Sequence, residues 1–239
     1  MAFLKKLLGK EPEPSSVWLT PTEWKALMDE VLSPLMEREP GLAYLGGYTW
    51  AGPWEDHRRK MVRVFLINQS FGTLQWGWSL DFVPHIAGNG LAWHRTDKSA
   101  RQDVWEVSPD FVKGTGRARE TTTFGAAPRG SGGLEAIRAE HRRAFQTLLP
   151  LMRAYYAQTD TPEKLLRRVR ARMADRYFQF VEGVPQTICA AFLAAALGQP
   201  EEARTLLEQL DFPEEKRELP VLLREKLDRQ PRLWGKDRV

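Results

Sequence analysis

The tryptophans of this chain are concentrated in one segment. Six of the nine lie between Tyr48 and Phe111, on short stretches that Gly, Pro and Asn separate. They are Trp50, Trp54, Trp76, Trp78, Trp93 and Trp105. Aromatic residues fit the half-buried surface of a β-sheet, and Gly, Pro and Asn mark the turns between strands. The segment therefore predicts an aromatic-rich sheet at the centre of the protein.

The apolar residues of this segment recur with a period of two. Between positions 74 and 80 four large apolar residues alternate with polar or small ones: Leu74, Trp76, Trp78 and Leu80. Such alternation indicates a strand with one face in the core. The short connections between the segments favour antiparallel pairing over crossover helices. The sequence predicts about four to six antiparallel strands within residues 42–112.

The segments on either side follow a helical period. Thr20 and Glu23 form a capping box ahead of a helix expected over residues 20–38, which should cover one face of the sheet. Beyond residue 133 the apolar residues recur at three and four positions, which predicts helices only. The predicted fold class is α+β, with an N-terminal antiparallel sheet packed on a helix and a C-terminal all-helical region.

The chain divides into four predicted parts. Residues 1–19 form an amphipathic segment and linker, and residues 20–112 form the α+β sheet domain. Residues 113–133 contain six glycines and are expected to be a mobile loop. Residues 134–239 form the helical region.

Composition indicates a soluble protein with a packed core. Of the 239 residues, 42% are hydrophobic and 28% are charged, and the net charge of +4 is too small to indicate nucleic-acid binding. Cys189 is the only cysteine, which excludes an intramolecular disulfide and a multi-cysteine zinc site. No apolar run reaches the roughly 18 to 20 residues of a membrane-spanning helix. We expect a cytoplasmic protein with no transmembrane segment and no cofactor.

Two clusters of polar residues are candidates for chemistry. Asp81, His85 and His94 are side chains that zinc or iron accepts, but their spacing matches no ligand motif, and local hydrogen bonding is the competing interpretation. Glu55, Asp56 and His57 follow Trp54 on a turn and offer a carboxylate and an imidazole for acid–base chemistry, but three adjacent polar residues in a turn usually face solvent, and no second carboxylate is placed to share that chemistry. We therefore assign no catalytic residue and no metal site.

An arginine-rich helix is expected over residues 162–180. Arg168 and Arg172 share one face of it, so a positive stripe is predicted. Contact with an acidic partner or RNA is one interpretation, and a solvated helix face is the other.

Four of the tryptophans lie near strand ends or turns and are candidates for partner binding. They are Trp50, Trp54, Trp93 and Trp105. At such positions aromatic side chains either close the edges of a sheet or form a binding surface. Together with Arg168 and Arg172 they make up the predicted partner-binding set.

Four segments carry a resemblance to a known group of proteins. They are a helix with Leu27, Val31, Leu32, Pro34 and Leu35, the run Gly46–Trp50, the strand Val64–Ser70, and Leu74–Phe82. In this order they resemble an uncharacterised bacterial domain family of unknown function, over roughly residues 20–112. Similar small bacterial domains occur beside secreted toxins. The resemblance implies an immunity or accessory role, and the family carries no catalytic residues to transfer.

Two hypotheses of function follow. The first is a non-enzymatic cytoplasmic protein-binding protein, an immunity protein that neutralises a bacterial toxin through the turn tryptophans and the loop 113–133. The alternative is an enzyme of unrecognised type with an Asp/His site at Asp81, His85 and His94. A toxin-like gene immediately next to this one would favour the first hypothesis, and stoichiometric copurifying metal would favour the second.

Overall fold

An antiparallel β-sheet forms the centre of the protein. The computed structural model describes residues 18–39, 41–68, 71–127, 132–174 and 176–234. Eight strands lie in this part of the chain: β1 (Ala43–Gly46), β2 (Thr49–Ala51), β3 (Arg58–Asn68), β4 (Phe71–Leu80), β5 (His85–Ala87), β6 (Gly90–Ala92), β7 (Val104–Val107) and β8 (Phe124–Gly125). Six of them form the main sheet in the order β1-β2-β3-β4-β7, with β8 pairing with the first residues of β4. Strands β5 and β6 form a separate hairpin.

Helices flank the sheet and make up the C-terminal half. They are α1 (Pro21–Met36), α2 (Pro109–Val112), α3 (Gly116–Thr121), α4 (Gly133–Gln158), α5 (Pro162–Met173), α6 (Arg176–Ala196), α7 (Pro200–Glu208) and α8 (Leu219–Asp228). The capping box at the start of α1 is present, with Thr20 accepting from the Glu23 amide and Glu23 accepting from the Thr20 amide. The predicted α+β fold is confirmed. Among the described residues, none of the helices is both long enough and apolar enough to cross a membrane.

The two faces of the sheet carry different side chains. Residues opposite each other in an antiparallel pair point to the same side, and β4 pairs with β3 along almost its whole length. We call the side that bears Leu74, Trp76 and Trp78 the front face. The side that bears Gln75 and Ser79 is the back face.

The front face is covered by α1 and α4. Trp24 of α1 and His141 of α4 are joined by a hydrogen bond from the indole Nε1 to the imidazole Nε2, 3.1 Å long, and both side chains are buried. Tyr156 of α4 donates from its hydroxyl to the carbonyl of Met61, 2.8 Å away, where β3 meets β4. A single apolar cluster contains residues of α1, the sheet and the C-terminal helices, so the two predicted halves share one core.

The back face is covered by shorter elements. At one end, Phe111 of α2 packs against Phe65, Trp105 and Val107. At the other end, the segment between β4 and β7 crosses the sheet, and the part of α6 that begins at Pro185 lies against that segment. Every residue of β4 after Phe71 is buried, including the polar ones. The back face is therefore a polar surface that the fold has enclosed.

Regular structure extends into the region predicted as a glycine-rich loop. Within residues 113–133 the chain forms α3 and then β8, whose residues Phe124 and Gly125 pair with Gly72 and Phe71 of β4. The prediction of a loop throughout this range was therefore wrong. The backbone of Phe124 and Gly125 pairs with the edge of β4. Residues 128–131 and most of the predicted segment 1–19 lie outside the described residues.

Candidate functional site

A cavity of about 510 Å³ lies on the back face of the sheet. Its walls come from three places: β3 and β4, the segment from Val83 to Trp105, and the stretch of α6 around Gln186. These pieces are far apart in the sequence. The tertiary fold alone brings them together.

The wall formed by residues 94–103 is held by Arg59 of β3. This arginine is 3% exposed, and its Nη1 donates to Asp97 Oδ1 at 2.6 Å. Its guanidinium lies 4.6 Å from the centre of the Trp54 ring, and its Nη2 donates to the Thr96 carbonyl at 3.4 Å. A short 3₁₀ helix at Asp97–Ser99 is capped by Thr96. These contacts fix the position of the wall relative to the sheet.

A histidine and an aspartate form a buried pair in the cavity. His85 Nε2 lies 2.7 Å from Asp103 Oδ1, and the two side chains are 8% and 1% exposed. The other carboxylate oxygen, Oδ2, accepts from the Leu80 amide at 2.6 Å, which orients the carboxyl group. Burial raises the pKa of Asp103 above its ordinary value, while contact with His85 acts in the opposite direction. The two atoms are close enough for an ion pair, but they do not meet in hydrogen-bonding geometry.

A second histidine lies against the first. The rings of His85 and His94 are 4.5 Å apart and nearly perpendicular. Burial lowers the pKa of His94, and the neighbouring His85 lowers it further. The lowered pKa favours the neutral imidazole, and a hydrogen bond to the Ser99 backbone acts in the opposite direction.

Two buried glutamine side chains, Gln75 and Gln102, line the inner end of the cavity, which we call its floor. Gln75 is fully buried, and its Oε1 accepts from Arg63 Nε at 2.6 Å. Gln102 is 6% exposed, and its Nε2 donates to the carbonyls of Met61 at 2.8 Å and Gln75 at 3.3 Å. One donor, Gln75 Nε2, and one acceptor, Gln102 Oε1, have no partner among the described residues. The floor thus offers a donor and an acceptor to whatever occupies the cavity.

The structure divides the predicted Asp/His cluster. His85 and His94 come together, but Asp81 contacts His57, with both carboxylate oxygens 3.2 Å from Nδ1. Asp103 contacts His85 where Asp81 was expected. The reason is that Asp81 follows β4 at the turn beside His57, whereas Asp103 precedes β7 and lies next to Leu80.

The candidate turn at Asp56 and His57 has a structural partner. Both residues have positive φ, 49° and 66°, as a tight turn between Glu55 and Arg58 requires. Asp56 Oδ2 accepts from the indole Nε1 of Trp234 at 2.7 Å. This turn therefore holds the C-terminal segment against the sheet.

The predicted partner-binding residues fall into three groups. Trp50 is completely buried, so it belongs to the core and offers no surface to a partner. Trp105 is 9% exposed, and the guanidinium of Arg172 lies 3.9 Å from the centre of its ring, where α5 passes β7. Arg168 is nearby and forms an ion pair with Glu106. Trp105, Arg168 and Arg172 are thus internal contacts between the helical region and the sheet.

Trp54 and Trp93 keep part of their surface exposed. Trp54 stacks with Arg59. Trp93 has Arg95 and Lys226 near its ring, 5.5 Å and 5.8 Å from the centre. Of the six residues predicted to bind a partner, these two tryptophans remain the accessible aromatic pair.

Sequence reasoning missed three residues of the site: Gln75, Gln102 and Asp103. Gln75 occupies a polar position of an alternating strand, which ordinarily faces water. A usable signal was the pair Gln102-Asp103 directly before the apolar strand β7, since polar side chains at a strand end commonly enter a site. No group of three or more His, Cys, Asp or Glu side chains within the described ranges has the arrangement of a metal site.

The arrangement can bind a polar molecule and exchange a proton with it. Asp103 lies beside Nε2 of His85 at ion-pair distance, and Nδ1 is the other nitrogen of that ring that can carry a proton. A histidine held in this way is suited to general acid–base chemistry. Comparison with protein-family models, with curated proteins and with solved structures found no match to this chain.

Proposed function

We propose that this protein binds a small polar molecule in the back-face cavity. The observation that carries the proposal is that Gln75 Nε2 and Gln102 Oε1 are both buried, lack partners among the described residues and line one cavity. A buried polar group left unpaired costs about 1–3 kcal/mol, and such groups are few in native proteins. A ligand that supplies their hydrogen bonds would recover that free energy.

The volume and composition of the cavity fit this role. Small-molecule sites are typically clefts of about 300–1,000 Å³ with apolar walls and a few converging polar groups. Here the polar floor is combined with apolar contributions from Val83, Trp105 and Ile188. The His85–Asp103 pair adds the capacity to move a proton to or from the bound molecule, so an enzymatic role is proposed with Asp103 in the place predicted for Asp81.

A ligand screen tests the proposal. Wild-type protein is screened against a library of polar metabolites by thermal shift, and hits are measured by calorimetry. We expect hits whose affinity falls at least about tenfold in Gln75→Met, because the amide donor is worth about 1.4 kcal/mol or more. Gln209→Met, which alters an exposed amide outside the cavity, is the matched control. Hits that bind both variants equally would place the ligand elsewhere.

A second experiment tests the proposed acid–base role of His85. A hit from the screen is incubated with the protein, and its conversion is followed by NMR. We expect His85→Gln to bind the hit while losing its conversion, since glutamine keeps a polar group of similar reach without the ionisable ring. Equal conversion by wild type and variant would remove His85 from the chemistry.

A protein-binding role, including that of an immunity protein, is the second proposal. The observation that favours it is the partial exposure of Trp54 and Trp93, because aromatic side chains dominate binding energy at protein interfaces. A toxin encoded beside the gene is the partner to test. Trp54→Ala or Trp93→Ala should weaken its binding by about 2 kcal/mol with little change in melting temperature. A toxin that binds both variants as tightly as wild type would reject this surface.

A further inference from the structure

We infer that the molecule bound in the cavity carries an oxyanion, which is a carboxylate or a phosphate. Lys98 and Arg101 bind this group at the exposed edge of the cavity, which we call its mouth. The inference rests on the proposed small-molecule function and adds the class of ligand. It comes from the distribution of charge between the floor and the mouth.

The charged side chains that line the cavity are mostly cationic. Arg63, Lys98 and Arg101 contribute positive charge, and Asp103 is the only carboxylate among the described lining residues. Asp103 is in contact with His85, so its charge is already matched within the protein. A bound anion therefore meets a positive field, which the cavity walls concentrate.

Lys98 and Arg101 are available to a ligand. Both are exposed, in contrast to Gln75 and Gln102 on the floor. No ion pair joins either of them to a carboxylate in the part of the chain that the structure describes. Arg59 and Arg168, in contrast, form ion pairs with Asp97 and Glu106. The two cations at the mouth are thus left with solvent as their partner.

The field of Arg101 reaches into the cavity. Burial is the larger influence on the pKa values of Asp103 and His94, and Arg101 lowers both. Its charge therefore acts on the groups at the floor although its side chain lies at the mouth. An oxyanion held by Arg101 would sit between solvent and the two histidines.

The ligand then has two ends. The inner end meets a donor and an acceptor, Gln75 Nε2 and Gln102 Oε1, which suits a neutral group such as an amide. The outer end meets Lys98 and Arg101, which suits a carboxylate or a phosphate. A neutral molecule of the same shape satisfies the floor alone and should bind more weakly.

Three probes with the same ring and the same carbamoyl group for the floor separate these contributions: terephthalamide, 4-carbamoylbenzoate and 4-carbamoylphenyl phosphate. Their binding is measured by calorimetry and by the fluorescence of the tryptophans, since Trp105 lines the cavity. We expect 4-carbamoylbenzoate or 4-carbamoylphenyl phosphate to bind at least about tenfold more tightly than terephthalamide, with an advantage that falls as salt is added. The stronger of the two anions distinguishes a carboxylate ligand from a phosphate ligand.

Two sets of variants locate the binding. The double variant Lys98→Gln/Arg101→Gln should lose about tenfold or more in affinity for the anionic probes and leave that for terephthalamide unchanged. Arg117→Gln/Arg229→Gln removes the same charge from exposed positions away from the cavity and is the matched control. Gln75→Met should weaken all three probes.

The outcomes distinguish the failure of this inference from failure of the proposed function. Equal binding of terephthalamide and 4-carbamoylbenzoate, both weakened by Gln75→Met, would retain the cavity and overturn the oxyanion. Anion binding that depends on Lys98 and Arg101 but ignores Gln75→Met would move the site to the surface and reject the cavity. No binding of any probe, up to the limit of solubility, would overturn both.

Discussion

The two faces of strand β4 differ in what they bury. On the front face, Leu74 and Trp76 pack against helices in the shared apolar core. On the back face, Gln75 and Ser79 are equally inaccessible to water but are polar. Adjacent residues of one strand thus contribute to two different environments.

The two faces of β4 contribute to different properties of the protein, the front face to stability and the back face to the proposed function. Burial of an apolar ring is favourable wherever the packing is close, so the front face supplies free energy of folding. Burial of an amide without its full set of partners is unfavourable, so the back face costs free energy unless something else is gained. In native proteins such costs are concentrated at functional sites. We therefore expect truncation of an apolar ring on the front face to act mainly on stability, and replacement of the unpaired amide on the back face to act mainly on binding.

The largest effect is expected from Trp76→Ala on the front face. Trp76 is 1% exposed, and removing its ring leaves a cavity between the sheet and the helices. The free energy of unfolding should fall by about 3–5 kcal/mol, measured by urea denaturation. Trp18→Ala is the control, since Trp18 is 64% exposed and its removal should cost less than about 0.5 kcal/mol. A loss below about 1 kcal/mol at Trp76 would contradict the assignment of the front face as the stabilising one.

The next effect is expected from Gly77→Ala, beside Trp76 on the same strand. A Cβ at Gly77 would lie 2.2 Å from the Val104 carbonyl oxygen, so β7 has to shift. We expect a loss of about 1–3 kcal/mol in the free energy of unfolding. Gly90→Ala in β6, where the nearest atom is 3.8 Å away, is the control and should change little. Similar values for the two variants would show that β4 and β7 are not closely packed.

A pH-dependent effect is expected from Asp103→Asn on the back face. Folding raises the pKa of Asp103 through burial, so the native state binds its proton more tightly than the unfolded state does. The stabilisation is fully present below the unfolded pKa of about 3.9 and is lost as pH rises through the folded pKa. The asparagine variant has no such decline.

Urea denaturation at a series of pH values checks this prediction. The free energy of unfolding of Asp103→Asn, minus that of wild type, should increase as pH rises above about 4. Asp110→Asn, at an exposed position of α2, is the control and should give a flat difference. Parallel curves for wild type and Asp103→Asn would rule out the raised pKa.

The smallest effect on stability is expected from Gln75→Met. The substitution conserves volume and removes an unpaired donor, while Arg63, which loses its contact with Gln75 Oε1, is exposed to water. The free energy of unfolding should change by less than about 1 kcal/mol in either direction. A loss as large as that of Trp76→Ala would mean that the amide is structural. The contrast between two adjacent residues would then disappear.

The sequence by itself determined the central strand β4, the helix α1 and the helical half, but not α3 and β8. Alternation over residues 74–80 placed one strand, the capping box placed the start of α1, and the period change after residue 133 placed the helical half. These signals are local, because a strand or a helix imposes its period on the residues within it. The polar positions of β4 carry the same local signal whether water or another layer covers them, so the buried back face was not predictable.

Only the tertiary structure decided the site. His85 begins the hairpin β5-β6, and Asp103 lies at the end of the segment 94–103. Their contact depends on where β7 pairs with β4. Asp81 is closer to His85 in sequence, but it turns toward His57. Trp50 and Trp105 looked like turn aromatics, yet β2 and α5 place them inside the protein. Contacts between distant residues follow from strand pairing and helix packing, and no local period encodes them.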